Sequence, residues 1–254
     1  QQFVGGCCGI ARKQDDLGNS PNNDACKPNP CDGLSKGEPS ISINRVTMNM
    51  YVIDTPLWYE TPIGPNVNLT LSYNSDDAAN QNNAFGNKWV FNYGSYLVAD
   101  TGAGGGVVTV FMPDGRQDNY TPNLAGGYDS EPGVFSQLVN TAPGTFELRF
   151  QDGGKWIYNV PSGTTNQVML YRMVDPWGNY LQMEYDSNIR LVRVRDAQNK
   201  VTEFKYNASG HVTRVLDPFG RYASFSYDAN HNLQEVVDME GQAFQYTYDG
   251  TVYI

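Results

Sequence analysis

The segment DPFGRYASFSYDANHNLQEVVDMEG, residues 217–241, contains one complete repeat unit and the start of the next. The unit is 21 residues long, and in four copies of it one aspartate and one tyrosine recur at this interval. The aspartates are Asp175, Asp196, Asp217 and Asp238, and the tyrosines are Tyr185, Tyr206, Tyr227 and Tyr248. A constant short period predicts a repeat architecture in which each unit packs on its neighbours.

Each unit opens with a turn signal such as Asp217-Pro218-Phe219-Gly220. Aspartate bonds to the backbone ahead of it, proline presets φ, and glycine accepts the left-handed conformation. The Tyr-Asp or Tyr-Asn pair marks a second turn, and alternating residues separate the two. Each unit therefore predicts two short strands and two turns. The other glycines at the fourth turn position are Gly178 and Gly241.

Strand alternation assigns the faces of the repeat sheet. Residues six, eight and ten after each aspartate share one face and predict stacked apolar and aromatic ladders. The ladders are Leu181, Thr202, Ala223 and Phe244; Met183, Phe204, Phe225 and Tyr246; and the four tyrosines. The intervening Gln182, Glu203, Ser224 and Gln245 should face solvent. A row of Arg172, Arg193 and Arg214 predicts a solvated face with Glu184 and Glu203 alongside, not a ligand site.

These units resemble the YD repeats of the Rhs/teneurin family, whose pattern is a DPxG or DxxG turn, a strand, Tyr-Asp, a glycine and a second strand. The third and fourth units match well, whereas the second has Ala197 and Asn199 in its turn. The resemblance implies an all-β fold in which antiparallel hairpin repeats form a curved sheet. The repeated aspartates are expected to form turn bonds and not to act in acid–base chemistry. In the family, the self-cleaving module and the toxin lie C-terminal to such a segment, so the resemblance carries no such activity over to these residues.

The region before the repeats divides into two further segments. Residues 41–106 carry strand patterns and resemble the N-terminal entry region of Rhs-type proteins, with Trp89 expected in the core. Residues 107–170 predict degenerate, longer hairpins, because Tyr120 and Tyr158 each follow an aspartate by six residues. The repeats themselves occupy residues 171–254.

Residues 1–40 form an irregular arm that holds all four cysteines, Cys7, Cys8, Cys26 and Cys31. Clustered cysteines in a loop-rich exported segment predict two disulfides, either Cys7–Cys26 with Cys8–Cys31 or the exchanged pairs, within one chain or between chains. Zinc is the alternative, although a C-x-x-C pair is missing and the arm has no histidine. The Asp15–Asp24 cluster suits a solvated loop better than a Ca²⁺ site. We therefore expect no metal or cofactor.

The net charge of −10 argues against nucleic acid and anionic membrane surfaces as partners. No apolar run is long enough to span a bilayer. The Gly-, Asn- and Tyr-rich composition favours a secreted or cell-surface β protein, and the start at Gln1 is consistent with removal of a signal peptide.

Candidate catalytic residues are few. His211 and His231 fall at turn or early-strand positions where we expect solvent-exposed side chains, and no hydrolase or metalloprotease motif is present. Glu60 with Asp76-Asp77 could form a carboxylate pair for glycoside cleavage, but strand-end acids more often serve solubility. The chain is therefore predicted not to be an enzyme.

Three functions compete. The favoured hypothesis is a secreted structural protein that self-associates through open sheet ends and the N-terminal arm, since an uncovered repeat edge after Ile254 invites strand pairing. The second is the N-terminal portion of an Rhs-type shell that encloses a toxin, which predicts many further repeats. The third is a carbohydrate-binding or adhesive surface module, which predicts exposed aromatic side chains away from the core face.

Overall fold

A computed structural model of the chain describes residues 37–43, 49–75, 83–99, 106–161, 163 and 166–249. Cys7, Cys8, Cys26 and Cys31 lie outside the described residues, as do the Asp15–Asp24 cluster and Asp76-Asp77. The described part consists of antiparallel β-sheets, which confirms the all-β hairpin fold expected from the repeats. Within these residues no helix has the length and apolarity needed to cross a membrane.

Nineteen strands occur in the described residues. The first eleven are β1 (Ser40–Ile43), β2 (Met50–Tyr59), β3 (Val67–Asn74), β4 (Trp89–Phe91), β5 (Tyr96–Ala99), β6 (Val108–Phe111), β7 (Gln117–Pro122), β8 (Tyr128–Ser130), β9 (Gln137–Ala142), β10 (Thr145–Arg149) and β11 (Lys155–Pro161). The repeat region supplies β12 (Gln167–Val174), β13 (Tyr180–Tyr185), β14 (Leu191–Arg195), β15 (Val201–Tyr206), β16 (Val212–Leu216), β17 (Tyr222–Tyr227), β18 (Leu233–Val237) and β19 (Ala243–Gln245). A short 3₁₀ turn, Asn83–Phe85, precedes β4.

The strands form two sheets. The smaller sheet has the order β1-β2-β3-β4, and the larger runs β8-β7-β6-β5-β12 and then in sequence to β19, with β9-β10-β11 attached to β12. Strand β5 lies in the 41–106 segment by sequence but joins the larger sheet through Leu97 and Val168, which are register partners.

Every hairpin of the repeat region closes with the same turn. The first turn residue donates its N–H to the carbonyl four residues on, and the fourth residue donates back to the first, as between Asp217, Gly220 and Arg221. This pattern is a type I turn followed by a left-handed residue, which suits the twist of antiparallel strands. Its first residues are Asp175, Asp186, Asp196, Asn207, Asp217, Asp228 and Asp238. The hairpins upstream use the same bonds around Gly115 and Gly153.

The core lies between the two sheets. Strand alternation buries the residues six and eight after the repeat aspartates, with Met183 and Phe204 at 1% and 3% exposure, except that Phe244 in the fourth unit is only half-buried. Val52, Leu71 and the other inward residues of the small sheet belong to the same apolar cluster. The small sheet therefore covers the apolar face of the repeats, a tertiary contact that the repeat pattern did not predict.

Candidate functional site

The tyrosine that defines each repeat is half-buried, and its hydroxyl donates a hydrogen bond to a backbone carbonyl 15 residues earlier. Tyr206 bonds to the carbonyl of Leu191 at 2.7 Å, and Tyr227 to that of Val212 at 2.6 Å. The bonds of Tyr185 to Leu170 and of Tyr248 to Leu233 are the same. Burial raises the pKa of all four phenols, so they remain protonated donors.

These hydroxyl bonds take the place of backbone hydrogen bonds at the point where two neighbouring strands stop pairing. Between β14 and β15 the register pairs stop at Arg193 and Glu203, although both strands extend further toward the second turn. The carbonyl of Leu191 would lack its ladder partner there, and an unpaired buried carbonyl is costly. Tyr206 supplies the missing donor, which explains why a phenol and not a phenylalanine occupies this position.

The aspartate that opens each repeat is a turn former with a common geometry. In Asp217 the Oδ1 atom accepts the backbone N–H groups of Phe219 and Arg221, both at 2.9 Å. Asp175, Asp196 and Asp238 make the equivalent pairs of bonds. The second turn repeats the arrangement through Asp228, whose carboxylate accepts from Asn230 and Asn232.

The fourth residue of each turn adopts a positive φ. Glycine occupies this position at Gly178, Gly210, Gly220 and Gly241, whereas Asn199, Ile189 and His231 adopt φ values of 64°, 60° and 67°. Glycine carries no steric penalty in this region, but a β-branched side chain does. Ile189 therefore holds the least favourable backbone conformation among these turns.

The aromatic residues of the repeat face contact the small sheet and the 3₁₀ turn that precedes β4. The Phe85 and Phe225 rings lie 5.0 Å apart, and Trp89 lies 5.1 Å from Tyr246. Trp89 is fully buried, as the sequence predicted, and its Nε1 donates to the hydroxyl of Tyr248 at 3.0 Å. Phe204 contacts Phe91 at 6.2 Å. The aromatic ladder of the repeats is thus covered by other side chains of the same chain.

A buried acid group lies where the small sheet meets the fourth repeat. Asp54 is 1% exposed, and its Oδ2 accepts from the Tyr246 hydroxyl at 3.4 Å, whereas its Oδ1 has no hydrogen-bond partner among the described residues. Burial, reinforced by the negative charge of Asp238, raises the pKa of the Asp54 carboxyl to about 7. One oxygen of Asp238 is also buried and finds no hydrogen-bond partner in the part of the chain that the structure describes. The raised pKa of Asp54 predicts that the contact between the two sheets depends on pH.

An open cleft of about 360 Å³ lies beside the second turns of the repeats. Its walls come from the small sheet, from two rungs of the tyrosine ladder and from the turns themselves. They include Asn87, Tyr93, Tyr185, Arg190, Tyr206, His211 and His231. The cleft combines aromatic faces with imidazole and amide groups, which suits a small polar ligand or a metal ion.

The two histidines meet in this cleft, and the expectation that both are exposed was wrong for His211. His231 is exposed, but His211 is 7% exposed and its Nε2 lies 3.1 Å from the Nδ1 atom of His231. Sequence reasoning missed the pair because the two residues are 20 positions apart, one fewer than the period. The offset places the fifth residue of one turn beside the fourth residue of the next.

On the outer face of the repeat sheet, arginine and lysine side chains pair with glutamates, as expected for a solvated surface. Arg193 lies 3.6 Å from Glu184 and 3.7 Å from Glu203, and Lys205 pairs with Glu203 at 2.7 Å. Arg214 stacks over the ring of Tyr222 at 4.2 Å. Such exposed pairs contribute little stability, about 0–1 kcal/mol each.

Two aromatic residues stand at the tips of the first turns. Trp177 is 85% exposed and Phe219 is 55% exposed, although Phe219 also contacts the ring of Tyr59 at 5.4 Å. Glu60 is exposed at the end of β2. Among the described residues, no cluster of three or more His, Cys, Asp or Glu side chains could hold a metal ion.

Comparison with known proteins identifies the repeats. The RHS Repeat family matches residues 185–222, and a domain of unknown function, DUF6531, matches residues 46–120. A search of the curated proteins finds no match.

Two solved structures resemble the chain at 10% sequence identity. One is the Photorhabdus luminescens Tc holotoxin pore with the TccC3-D651A mutation, with a TM-score of 0.27; the other is the TcdB2-TccC3-Cdc42 complex, with a TM-score of 0.24. Both alignments cover 80% of this chain but only 14% and 13% of the respective solved chains. The family assignment therefore rests on the sequence repeats.

Proposed function

We propose that this chain, which belongs to the Rhs/YD-repeat family, is a non-enzymatic, secreted scaffold whose repeat sheet forms one wall of a larger β assembly. The main support is that the defining side chains of every repeat are used in structural hydrogen bonds. The turn aspartates hold backbone N–H groups, as Asp217 does, and the ladder tyrosines hold carbonyls, as Tyr206 does. These roles produce a rigid sheet and leave the carboxylates and phenols unavailable for acid–base chemistry.

The edge of β19 is the proposed site of assembly. In the described part of the chain, β19 pairs only with β18, so its other edge presents backbone groups without a partner strand. Such an edge accepts a strand from another molecule. A second copy added in this way, with the N-terminal arm as a further contact, would extend the sheet into a fibre or surface layer.

A proline at Gln245 tests this edge. Tyr246 donates its N–H to the carbonyl of Gln234, so by strand alternation the Gln245 N–H points away from β18. Gln245→Pro removes that outward donor, whereas Gln245→Ala keeps it and serves as the matched control. We expect sedimentation and electron microscopy to show ordered assemblies for the natural chain and the alanine variant, but dispersed monomers for the proline variant.

Two results would contradict self-assembly. A natural chain that stays monomeric at high concentration lacks the proposed contact, and a proline variant that assembles equally well uses another surface. Circular dichroism of the proline variant must match that of the natural chain, so that loss of assembly is not loss of fold.

The Rhs-type shell remains the second candidate, because further hairpins of the same polypeptide would also cover the β19 edge. In this segment the apolar face is filled by the chain's own residues, such as Trp89 and Phe85, so an enclosed toxin would have to lie against other repeats. The intact mass of the native protein separates the two proposals. A mass far above 28.2 kDa with a hollow outline in electron microscopy would support the shell.

The exposed turn-tip aromatics favour a third candidate, carbohydrate binding at the cell surface. Trp177 presents a flat apolar ring to solvent at the tip of a rigid turn, and such rings stack on sugars. A glycan array with the natural chain and Trp177→Ala tests this function. Binding that the substitution abolishes would support it, and an array with no bound glycan would eliminate it.

A further inference from the structure

The two histidines of the cleft have the geometry of a chelating pair. Their facing nitrogens, Nε2 of His211 and Nδ1 of His231, lie 3.1 Å apart, and the ring centroids lie 5.1 Å apart. Two nitrogens bound to one tetrahedral metal ion at about 2.0–2.1 Å stand about 3.4 Å apart. A metal ion can therefore replace the shared proton after a shift of a few tenths of an ångström.

The protein holds both imidazoles in place. The His211 ring stacks on Tyr227 at a centroid distance of 4.8 Å, and its backbone N–H donates to the Asn207 side chain. The His231 turn is fixed by Asp228 and by the Asn87 side chain, which donates to the Asn230 carbonyl and to Asn232. Preorganised ligands reduce the entropy that binding must overcome.

The surroundings suit a cation. Asp228 is the first residue of the turn that carries His231, and its carbonyl accepts the His231 backbone N–H, so that one turn holds both a carboxylate and the imidazole. Arg190, the nearby guanidinium in the cleft wall, is neutralised by Asp186 at 2.7 Å. The cleft is open, so water or a donor from a second molecule can complete the coordination.

We propose that His211 and His231 bind a borderline divalent transition ion such as Zn²⁺, Ni²⁺ or Cu²⁺ at the mouth of this cleft. Imidazole nitrogens prefer these ions over Mg²⁺ or Ca²⁺. In the described residues no third ligating side chain joins the pair, so the site keeps open positions. The scaffold proposal neither requires this site nor depends on it.

The repeats supply matched variants for the test. The residue equivalent to His231 one unit earlier is Gly210, which shares its positive φ, so His231→Gly removes the imidazole and keeps the turn. The residue equivalent to His211 one unit later is Asn232, so His211→Asn introduces a side chain already used at this position. Each variant is expected to weaken binding about tenfold or more.

The experiment is a Zn²⁺ titration of the full chain, stripped with chelator, followed by the imidazole proton resonances. The chain has two histidines, so both signals are assignable from the two variants. We expect both to shift together and to saturate at one equivalent, and the Cu²⁺-loaded chain to show two nitrogen ligands by electron paramagnetic resonance.

The proposal would be overturned in two ways. Imidazole signals that do not respond to Zn²⁺ would mean that the pair is a hydrogen bond only, and metal held by the four cysteines would leave them unmoved. Shifts confined to His231, or affinity unchanged in His231→Gly at an equal melting temperature, would show binding to a single surface imidazole or elsewhere.

Discussion

The repeat region and the small sheet that covers it are built by different means. In the repeats, β12 to β19 pair with their sequence neighbours, and each turn is held by its own residues, as Asp217 holds Phe219 and Arg221. The small sheet instead depends on contacts across more than a hundred residues, such as Trp89 with Tyr248 and Tyr59 with Asp196. Each repeat turn is therefore held by residues close in sequence, whereas the small sheet is also held by side chains more than a hundred residues away.

The largest effect on stability is expected from Trp89→Ala, which tests the contact between the two sheets. Trp89 is fully buried between Tyr73 and Tyr246, so its loss removes contacts that both sheets share. We expect the free energy of unfolding to fall by about 3–5 kcal/mol, as measured by urea denaturation. Trp177→Ala, at an 85% exposed turn tip, is the control and should change stability by no more than about 0.5 kcal/mol. Equal effects would mean that the small sheet is not held by this contact.

The buried acid at the sheet contact predicts a pH dependence. Because the pKa of Asp54 is raised from 3.8 to about 7, the folded chain binds its proton more tightly than the unfolded chain does. Stability from this group is complete below pH 4 and is lost as the pH rises toward 7, at up to about 1.4 kcal/mol per pH unit and about 4 kcal/mol in all.

Asp54→Asn mimics the protonated carboxyl and should remove this slope. Urea unfolding of both chains between pH 4 and pH 8 provides the measurement. A variant with the same pH slope as the natural chain would show that other groups cause the dependence.

A substitution at Asp228 tests whether the repeats depend on hydrogen bonds within each turn. Asp228→Ala frees two backbone N–H groups that the carboxylate now accepts, which should cost about 1–3 kcal/mol. Asp228→Asn should cost much less, because Asn207 performs this role one unit earlier by accepting the His211 N–H. Thermal unfolding of the two variants measures the difference, and equal losses would mean that the carboxylate acts through its charge instead.

The smallest effect is expected at Ile189, where the substitution should stabilise the chain instead of destabilising it. Ile189 has a φ of 60°, a conformation that glycine adopts without strain at Gly210. Ile189→Gly should therefore stabilise the chain by about 1 kcal/mol. Gly210→Ala, the reciprocal change, should destabilise it by a similar amount. A melting temperature that falls in Ile189→Gly would show that the isoleucine side chain contributes more in the cleft wall than its backbone costs.

Much of the repeat region follows from the sequence, because its interactions are short-range. The period predicted two strands per unit, the alternation predicted that Met183 and Phe204 lie on the inner face, and the turn signal predicted the turn at Asp217 and Gly220. The hydroxyl bond of Tyr206 could not be inferred, because it depends on where β14 and β15 stop pairing. The cleft could not be inferred from the sequence either, because its walls come from segments that no local pattern connects.

The sequence by itself determined the repeat, its turns and its faces, since the repeated aspartate acts on backbone N–H groups two and four residues away and strand alternation assigns the faces. Only the tertiary structure decided what covers the aromatic ladder, that Asp54 is buried beside Asp238, and that His211 meets His231. Each of these depends on how one sheet docks on another or how neighbouring turns are offset. Apolar burial favours such docking without specifying which segment provides the cover, because the hydrophobic effect is not directional.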